Sequence, residues 1–153
     1  METQNKELTI TRTFDAPVSL VWAAWTDSEH IKNWWGPKGF INPVCEWEPE
    51  VGNKIFIQMK APDGIIYPMD GEFREIIQHE KIVFTSAALD KNDKRLFEVL
   101  NTITFIEEGD KTKLILHCIF SNIKPEGAAH IGGAEMGWNL SLDKLVVLLN
   151  KLK

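Results

Sequence analysis

Residues 131–152 read IGGAEMGWNLSLDKLVVLLNKL, and this stretch decides the fold. Its apolar residues recur at helical spacing, at Ile131, Trp138, Leu142, Leu145, Leu149 and Leu152. Spacings of three, four and seven residues place side chains on one face of a helix, so we expect a long amphipathic helix that begins after Pro125. Glycines at 132, 133 and 137 weaken its first turns, where a bend is expected. Such a helix buries its apolar face against another layer of the protein.

The preceding segment, residues 40–121, predicts that layer. Strand-like apolar runs alternate there with turn signals at residues 49–53, 62–64, 78–80, 90–93 and 108–110. About six strands at this spacing indicate antiparallel hairpins rather than a parallel sheet. The alternation of the strands places one set of residues on a common face: Ile55, Ile57, Met59, Tyr67, Met69, Gly71, Phe73, Val99, Asn101, Ile103, Phe105, Leu114, Leu116, Cys118 and Phe120.

The N-terminal third predicts one strand and two short helices. Residues 8–14 alternate like a strand, and Pro17 suits the first position of a helix. Asp27 is a good N-cap for a second helix, which Gly36-Pro37 stops. The order of elements is therefore strand, two short helices, about six strands and a long helix. We expect an α+β fold in a single domain over residues 1–153, with its core at about 8–152.

Composition narrows the possible partners. The 153 residues include 17 basic and 22 acidic side chains, a net charge of −5, which argues against nucleic-acid or anionic-membrane partners. No apolar run approaches the roughly 20 residues of a membrane span. Residues 1–7 lack the apolar core of a secretion signal, so a cytoplasmic location is expected. Cys45 and Cys118 lie far apart without metal-ligand spacing, so no metal or cofactor is predicted.

Several short segments, taken in order, resemble a known family. They are Ala16-Pro17, Trp25-Thr26-Asp27, residues 34–40 (WWGPKGF), residues 71–76 (GEFREI), Gly137-Trp138 and residues 142–145 (LDKL). Over about residues 10–149 the chain looks like the single-domain bacterial relatives of the C-terminal domain of the heat-shock protein 90 ATPase activator. These relatives belong to the START-like (SRPBCC) superfamily.

The resemblance implies a helix-grip fold, START-like or Bet v-like. In that fold a curved antiparallel sheet wraps around the long C-terminal helix, and two short N-terminal helices close one end. The resemblance also implies a hydrophobic cavity between sheet and helix, which the superfamily uses for lipids, sterols, polyketides and other apolar ligands.

The candidate ligand-binding residues are mostly apolar, with few polar anchors. They are Trp34, Trp35, Ile57, Met59, Tyr67, Met69, Phe73, Phe84, Asn101, Ile103, Leu116, Glu135, Met136 and Trp138. Taken singly, each apolar member is more typical of a packed core, and Tyr67 is the exception, because the sole tyrosine brings a hydroxyl to an otherwise apolar wall. Asn101 shares the phase of apolar neighbours, so its amide either orients a ligand or bonds to the backbone. Adjacent Trp34 and Trp35 cannot both point inward, so one anchors its helix and the other borders the cavity.

Motifs for catalysis are scarce. The sequence contains no GxSxG, phosphate-binding glycine loop, HExxH or histidine pair at ligand spacing, so no catalytic residue is predicted. Glu135 lies between two residues of the helical stripe and either approaches the cavity entrance or faces solvent. His130, just before the helix, either reaches the cavity mouth or belongs to a solvated loop.

Three hypotheses follow. The leading one is a non-catalytic protein that binds a small hydrophobic molecule between sheet and helix. The second is a chaperone-linked or stress-response interaction module, whose partner is a chaperone of the heat-shock protein 90 type and whose acidic residues are Glu46, Glu48 and Glu50. The third is an enzyme that acts on an apolar, polyketide-like substrate through Tyr67, Asn101 or Glu135.

Overall fold

A computed structural model describes residues 6–152, with the backbone alone at Ala129 and His130. The prediction about a secretion signal therefore falls mostly outside the described residues, as do both ends of the predicted domain. The elements in order are β1 (Lys6–Phe14), α1 (Val18–Thr26), α2 (Ser28–Trp34), β2 (Ile41–Glu46), β3 (Lys54–Lys60), β4 (Ile66–Ile77), β5 (Lys81–Leu89), β6 (Arg95–Glu108), β7 (Lys111–Ser121), α3 (Pro125–Gly132) and α4 (Ala134–Leu152).

The strands form one curved antiparallel sheet of seven strands in the order β1-β7-β6-β5-β4-β3-β2. Successive strands from β2 to β7 pair as hairpins, and β1 adds to the free side of β7. This confirms the six strands predicted after the short helices and the α+β helix-grip fold. Turn spacing predicted the hairpins between β2 and β7, because short connections keep neighbours in sequence adjacent in the sheet. It did not predict that β1 pairs with β7.

One face of the sheet is buried, and it is the face that the strand phases predicted. Along β7, Leu114, Leu116, Cys118 and Phe120 are buried, and the residues between them are partly exposed. Because the side-chain period of a strand is two, the alternation assigns every second residue to the core. The helix α4 covers this face with Leu142, Leu145 and Leu149, which are at most 2% exposed.

The C-terminal helix differs from the expected single helix. It is divided into α3 and α4, with the break at Gly133. Gly132 and Gly133 contribute no side-chain contacts there, which agrees with the expected bend. In α3, a Cβ at Gly127 would lie 2.5 Å from the Leu96 carbonyl oxygen, so the absent side chain lets this helix approach β6. The two helices therefore meet the sheet at different places.

The two short helices close one end of the sheet. The helix α1 begins after Pro17, and the carboxylate of Asp27 accepts a hydrogen bond from the Glu29 N–H at 2.9 Å, which caps α2 as predicted. A tight connection with Gly36 at a φ of +88° then turns the chain into β2. Among residues 6–152, no helix combines the length and apolar character that crossing a membrane requires.

Candidate functional site: a cavity between sheet and helix

A cavity of about 230 Å³ lies between the inner face of the sheet and α4, bordered by the connection after α2. Its wall is almost entirely apolar. The strands contribute Met59, Met69, Ser86, Ala87, Ala88, Phe97, Val99, Asn101 and Phe120; the helix contributes Ala134, Gly137, Trp138 and Ser141; and the connection contributes Trp35, Gly36 and Pro37.

Short side chains keep this space open. Ser86 and Ala88 on β5 face Ala134, Gly137 and Ser141 on α4 across the cavity. Protein interiors are normally packed as densely as organic crystals, so a space of this size persists only where the surrounding side chains cannot reach across it. The four helical residues recur at positions i, i+3, i+4 and i+7, and they form the stripe of α4 that faces the cavity.

The structure brings some of the predicted ligand-binding residues to this cavity. Trp35, Met59, Met69, Asn101 and Trp138 line it. Three of these lie on strands β3, β4 and β6, and the two tryptophans come from the connection after α2 and from α4. The predicted face of the sheet and the predicted helix therefore do meet around a common space.

Other predicted residues lie in the packed half of the same face and do not line the cavity. These are Ile57, Phe73, Phe84, Ile103 and Leu116, each at most 1% exposed. The Trp47 ring covers two of them, with its centroid 4.9 Å from that of Phe73 and 5.1 Å from that of Phe84. Strand phase assigns a residue to the inner face, but it does not say which part of that face another element fills.

The remaining predicted residues lie outside the cavity wall. Trp34 is fully buried, and its Nε1–H donates to the Ala24 carbonyl at 2.9 Å, so it anchors α2 to α1 while Trp35 borders the cavity. Tyr67 is half-buried with its ring 6.0 Å from that of Phe40. Glu135 and Met136 are exposed, the latter at 70%, because they lie beside the stripe of α4 that faces inward. The side chain of His130 lies outside the described part of the chain.

A cluster of tryptophans holds the aromatic walls in place. The rings of Trp35 and Trp138 meet edge to face at 5.3 Å, and Trp138 stacks on Trp25 at 6.3 Å. Trp35 also contacts Trp47 at 5.4 Å. Edge-to-face and offset arrangements are the favoured geometries of aromatic pairs, so each ring restricts its neighbour. Trp25, Trp35 and Trp47 from the first third of the sequence thus pack together with Trp138 at one end of the cavity.

A chain of hydrogen bonds crosses the polar part of the wall. The Cys118 thiol donates to Asn101 Oδ1 at 3.2 Å, and Asn101 Nδ2 donates to Ser86 Oγ at 2.9 Å and to the Phe84 carbonyl at 3.3 Å. Asn101 is 1% exposed, so its amide must find partners inside the protein. Of the two roles that the sequence left open, the structure shows the bond to the backbone, and the amide also bonds to the cavity residue Ser86.

Lys144 fastens the connection that borders the cavity. Its Nζ lies 3.2 Å from the carbonyl oxygen of Gly36 and 3.3–3.5 Å from those of Trp35, Pro37 and Phe40. An ammonium group at the end of α2 is also favourably placed for the helix dipole. Burial lowers the pKa of Lys144 below its ordinary value. Sequence reasoning noted Lys144 only as part of a motif, and nothing in its spacing predicts this contact.

The cavity wall carries no charged side chain among the described residues. None of the described lining residues has a titratable side chain. Within residues 6–152 no cluster of His, Cys, Asp or Glu is placed to hold a metal ion. Of the three residues considered for catalysis, only Asn101 lines the cavity. Burial raises the pKa of the nearby Cys118 thiol to about 12, so this group stays protonated and donates its hydrogen.

Several lining residues were missed from the sequence. Ser86 and Ala88 alternate with Phe84 on β5, so the phase of that strand contains the signal for them. Ala134, Gly137 and Ser141 are small and carry no apolar signal. Phase alone therefore finds bulky wall residues more readily than the small ones that create the space.

The fold and the cavity define a helix-grip domain of the START-like superfamily. The chain belongs to the family described as activator of Hsp90 ATPase homolog 1-like protein, whose model matches residues 15–150. No curated protein matches the sequence significantly.

Solved structures of bacterial proteins share the fold. A protein from Nitrosomonas europaea is 26% identical, with a TM-score of 0.79 and coverage of 96% of each chain. The AHSA1 protein from Silicibacter pomeroyi is 23% identical, with a TM-score of 0.83 and coverage of 97% of this chain and 100% of that one. A protein from Staphylococcus epidermidis is 24% identical, with a TM-score of 0.79 and coverage of 99% of this chain and 94% of that one. The last two support the fold alone.

Proposed function

We propose that this protein binds a small hydrophobic molecule in the cavity between the sheet and α4 and performs no chemistry on it. The observation that carries the proposal is the cavity itself, an apolar space of about 230 Å³ between the sheet and α4. Apolar pockets with a few convergent polar groups are the usual form of ligand sites.

The volume limits the ligand. An apolar cavity of roughly 150 Å³ takes up benzene, so a space of 230 Å³ suits one or two rings or a short acyl chain. A sterol or a phospholipid is too large for it. Among the ligands known for the superfamily, small cyclic compounds therefore fit better than long-chain lipids.

Burial of apolar surface provides the affinity. Each Å² of apolar area removed from water contributes roughly 25 cal/mol, and the cost of association is subtracted from that sum. The rings of Trp35 and Trp138 are held by their neighbours before any ligand arrives, which lowers the ordering cost. The wall favours uncharged ligands because it offers no charge to pair with them.

Substitution of neighbouring residues on β6 tests the proposal. Val99 lines the cavity, whereas Leu100 lies on the outer face and is 40% exposed. We expect Val99→Phe to fill the cavity and weaken binding of indane, an apolar bicyclic probe, at least tenfold in an NMR shift titration. The matched variant Leu100→Phe adds the same ring to the same strand and keeps the wild-type affinity.

Two results would count against binding in the cavity. One is the absence of shifts at the Trp35 and Trp138 indole signals when indane is added to the wild-type protein. The other is equal binding by Val99→Phe and Leu100→Phe when both variants keep a folded spectrum. Native mass spectrometry of the purified protein would then search for a carried ligand as an independent measurement.

A second candidate function is a chaperone-linked or stress-response interaction in the cytoplasm. The family description supports it, together with an acidic surface at the end of edge strand β2, where Glu46, Glu48 and Glu50 are exposed. A cluster of this kind attracts a basic partner at a rate that depends on salt.

The test of this candidate uses charge-neutral variants. We expect the triple variant Glu46→Gln, Glu48→Gln and Glu50→Gln to abolish a salt-sensitive complex with the host's heat-shock protein 90 in a pull-down. The matched control neutralises Glu107, Glu108 and Asp110, which are exposed at the β6–β7 turn. No complex with the wild-type protein at low salt would remove this candidate.

A further inference from the structure

The hydrogen bonds in the polar part of the cavity wall run in a defined direction from donor to acceptor. Asn101 Nδ2 lies 3.3 Å from the Phe84 carbonyl oxygen, which can only accept a hydrogen bond. The amide nitrogen must therefore be on that side, and the amide oxygen faces Cys118 Sγ at 3.2 Å. The Cys118 thiol is buried and protonated, so it is the donor to that oxygen. The orientation of the Asn101 amide follows from its partners.

This orientation determines what Ser86 offers. Asn101 Nδ2 donates to Ser86 Oγ at 2.9 Å, so the hydroxyl oxygen is used as an acceptor. Among the hydrogen bonds of the described residues, Ser86 Oγ takes part in no other. Its own hydrogen remains to be donated, and Ser86 lines the cavity. Ser86 therefore presents a hydroxyl donor to the cavity, and the hydrogen bond from Asn101 holds that hydroxyl in place.

The second serine of the wall behaves differently. Ser141 Oγ donates its hydrogen to the Gly137 carbonyl at 3.1 Å within α4. Its hydrogen is therefore unavailable to a ligand. The cation Lys144, which contacts the connection bordering the cavity, already lies against four backbone carbonyl oxygens. Of the two serine hydroxyls that line the cavity, Ser86 is therefore the one whose hydrogen has no acceptor among the described residues.

We propose that the ligand is a small, uncharged cyclic compound with a carbonyl or other acceptor oxygen that accepts a hydrogen bond from Ser86 Oγ. This inference rests on the proposed function and names the chemistry that the site selects. The thiol of Cys118, the amide of Asn101 and the hydroxyl of Ser86 point their hydrogens in one sequence toward the cavity. A ligand without an acceptor atom leaves the hydrogen of the Ser86 hydroxyl unpaired, and a charged ligand brings an unpaired charge into the cavity; both are costly.

The aromatic wall adds to this selection. Trp35, Phe97, Phe120 and Trp138 surround the space with ring faces and edges. Aromatic pairs gain energy beyond the burial of their area, so a planar cyclic ligand gains more here than a branched aliphatic one. The volume of about 230 Å³ suits a bicyclic compound.

The test compares two probes of nearly equal shape, 1-indanone and indane, which differ by one carbonyl oxygen. We expect Ser86→Ala to weaken 1-indanone about three- to tenfold, the range expected when one hydrogen bond is lost. The affinity for indane should stay within about twofold. Dissociation constants come from NMR titrations of the whole protein that follow the Trp35 and Trp138 indole signals.

Ser141→Ala is the matched control, because it removes a hydroxyl from the same cavity whose hydrogen is already engaged. We expect it to leave the ratio of the two affinities unchanged. The proposal is overturned if Ser86→Ala changes both probes equally, or changes neither, while indane still binds the wild-type protein. If indane does not bind the wild-type protein at all, the proposed function fails as well, so the two failures are distinguishable.

Discussion

Lys144 on α4 places its ammonium nitrogen 3.2 Å from the carbonyl oxygen of Gly36, and this contact joins the closing helix to the connection after α2. Gly36 and its neighbours Trp35 and Pro37 line the cavity. One side chain thus connects two walls of the site that lie more than 100 residues apart in the sequence. The position of the connection relative to α4 depends on this contact.

Replacing Lys144 with Met keeps the aliphatic stem and removes the ammonium group. We expect a loss of about 1–2 kcal/mol in the free energy of unfolding, because the carbonyl oxygens of the connection lose a charged donor. Urea denaturation measures this loss. Lys151→Met, at an exposed position of the same helix, is the control and should change stability little. Equal effects of the two variants would show that the ammonium group does not hold the connection.

Two phenylalanines on the inner face should differ in how much they contribute to the free energy of unfolding. Phe84 is fully buried in the packed half, whereas Phe97 borders the cavity. We expect Phe84→Ala to cost about 3–5 kcal/mol, and Phe97→Ala to cost less because part of its surface faces empty space. Thermal and urea unfolding measure both. A larger loss at Phe97 would contradict the position assigned to the cavity.

Stability should fall at alkaline pH because of the cysteines. Burial raises the pKa of Cys118 from 9.0 to about 12 and that of Cys45 to about 11, against the opposing charge of Lys32. Between pH 9 and 11 the unfolded chain loses thiol protons that the folded chain keeps. Stability is therefore fully present below pH 9 and decreases as the pH rises through that interval.

The variant Cys118→Ser isolates this effect, since serine keeps the hydrogen-bond donor to Asn101 but does not titrate. We expect its stability to decrease less steeply than that of the wild type between pH 9 and 11, by up to about 1.4 kcal/mol per pH unit. Lys144 has a lowered pKa and contributes an alkaline change of opposite sign, but it is present in both proteins and cancels. Parallel curves above pH 9 would argue against the raised pKa.

Gly71 on β4 should not tolerate a side chain. A Cβ at this position would lie 1.9 Å from the Thr85 carbonyl oxygen on the neighbouring strand. We expect Gly71→Ala to cost about 2–3 kcal/mol, because the backbone of β5 must move to admit the methyl group. Gly132→Ala is the contrast, since the space around Gly132 is open and alanine favours the helix. Thermal unfolding should show opposite shifts for the two variants.

Much of the fold was predictable because it rests on local patterns. The spacing of Leu142, Leu145 and Leu149 predicts the closing helix, and the residue type at Asp27 predicts a helix cap, which its hydrogen bond confirms. The glycines at 132 and 133 indicated where the C-terminal helix breaks. The resemblance to the activator family supplied the curvature of the sheet and the expectation of a cavity, which periodicity alone does not contain.

The site was predicted less completely, and the reason is geometric. Phe84 and Met69 share the inner face of the sheet, yet Met69 lines the cavity and Phe84 does not. The difference arises because Trp47, far away in the sequence from Phe84, covers it. Ser86 follows Phe84 by one strand period, but a small polar residue gives no signal until its neighbours across the sheet are known.

The sequence by itself determined the class of fold, the antiparallel hairpins that follow the short helices, the face that is buried and the helix that covers it, because all of these follow from turn signals and from the periods of strands and helices. Only the tertiary structure decided where the inner face is filled and where it stays open, and which way the hydrogen bond from Asn101 to Ser86 runs. Those features depend on contacts between residues distant in the chain, whose distances and directions no local pattern encodes.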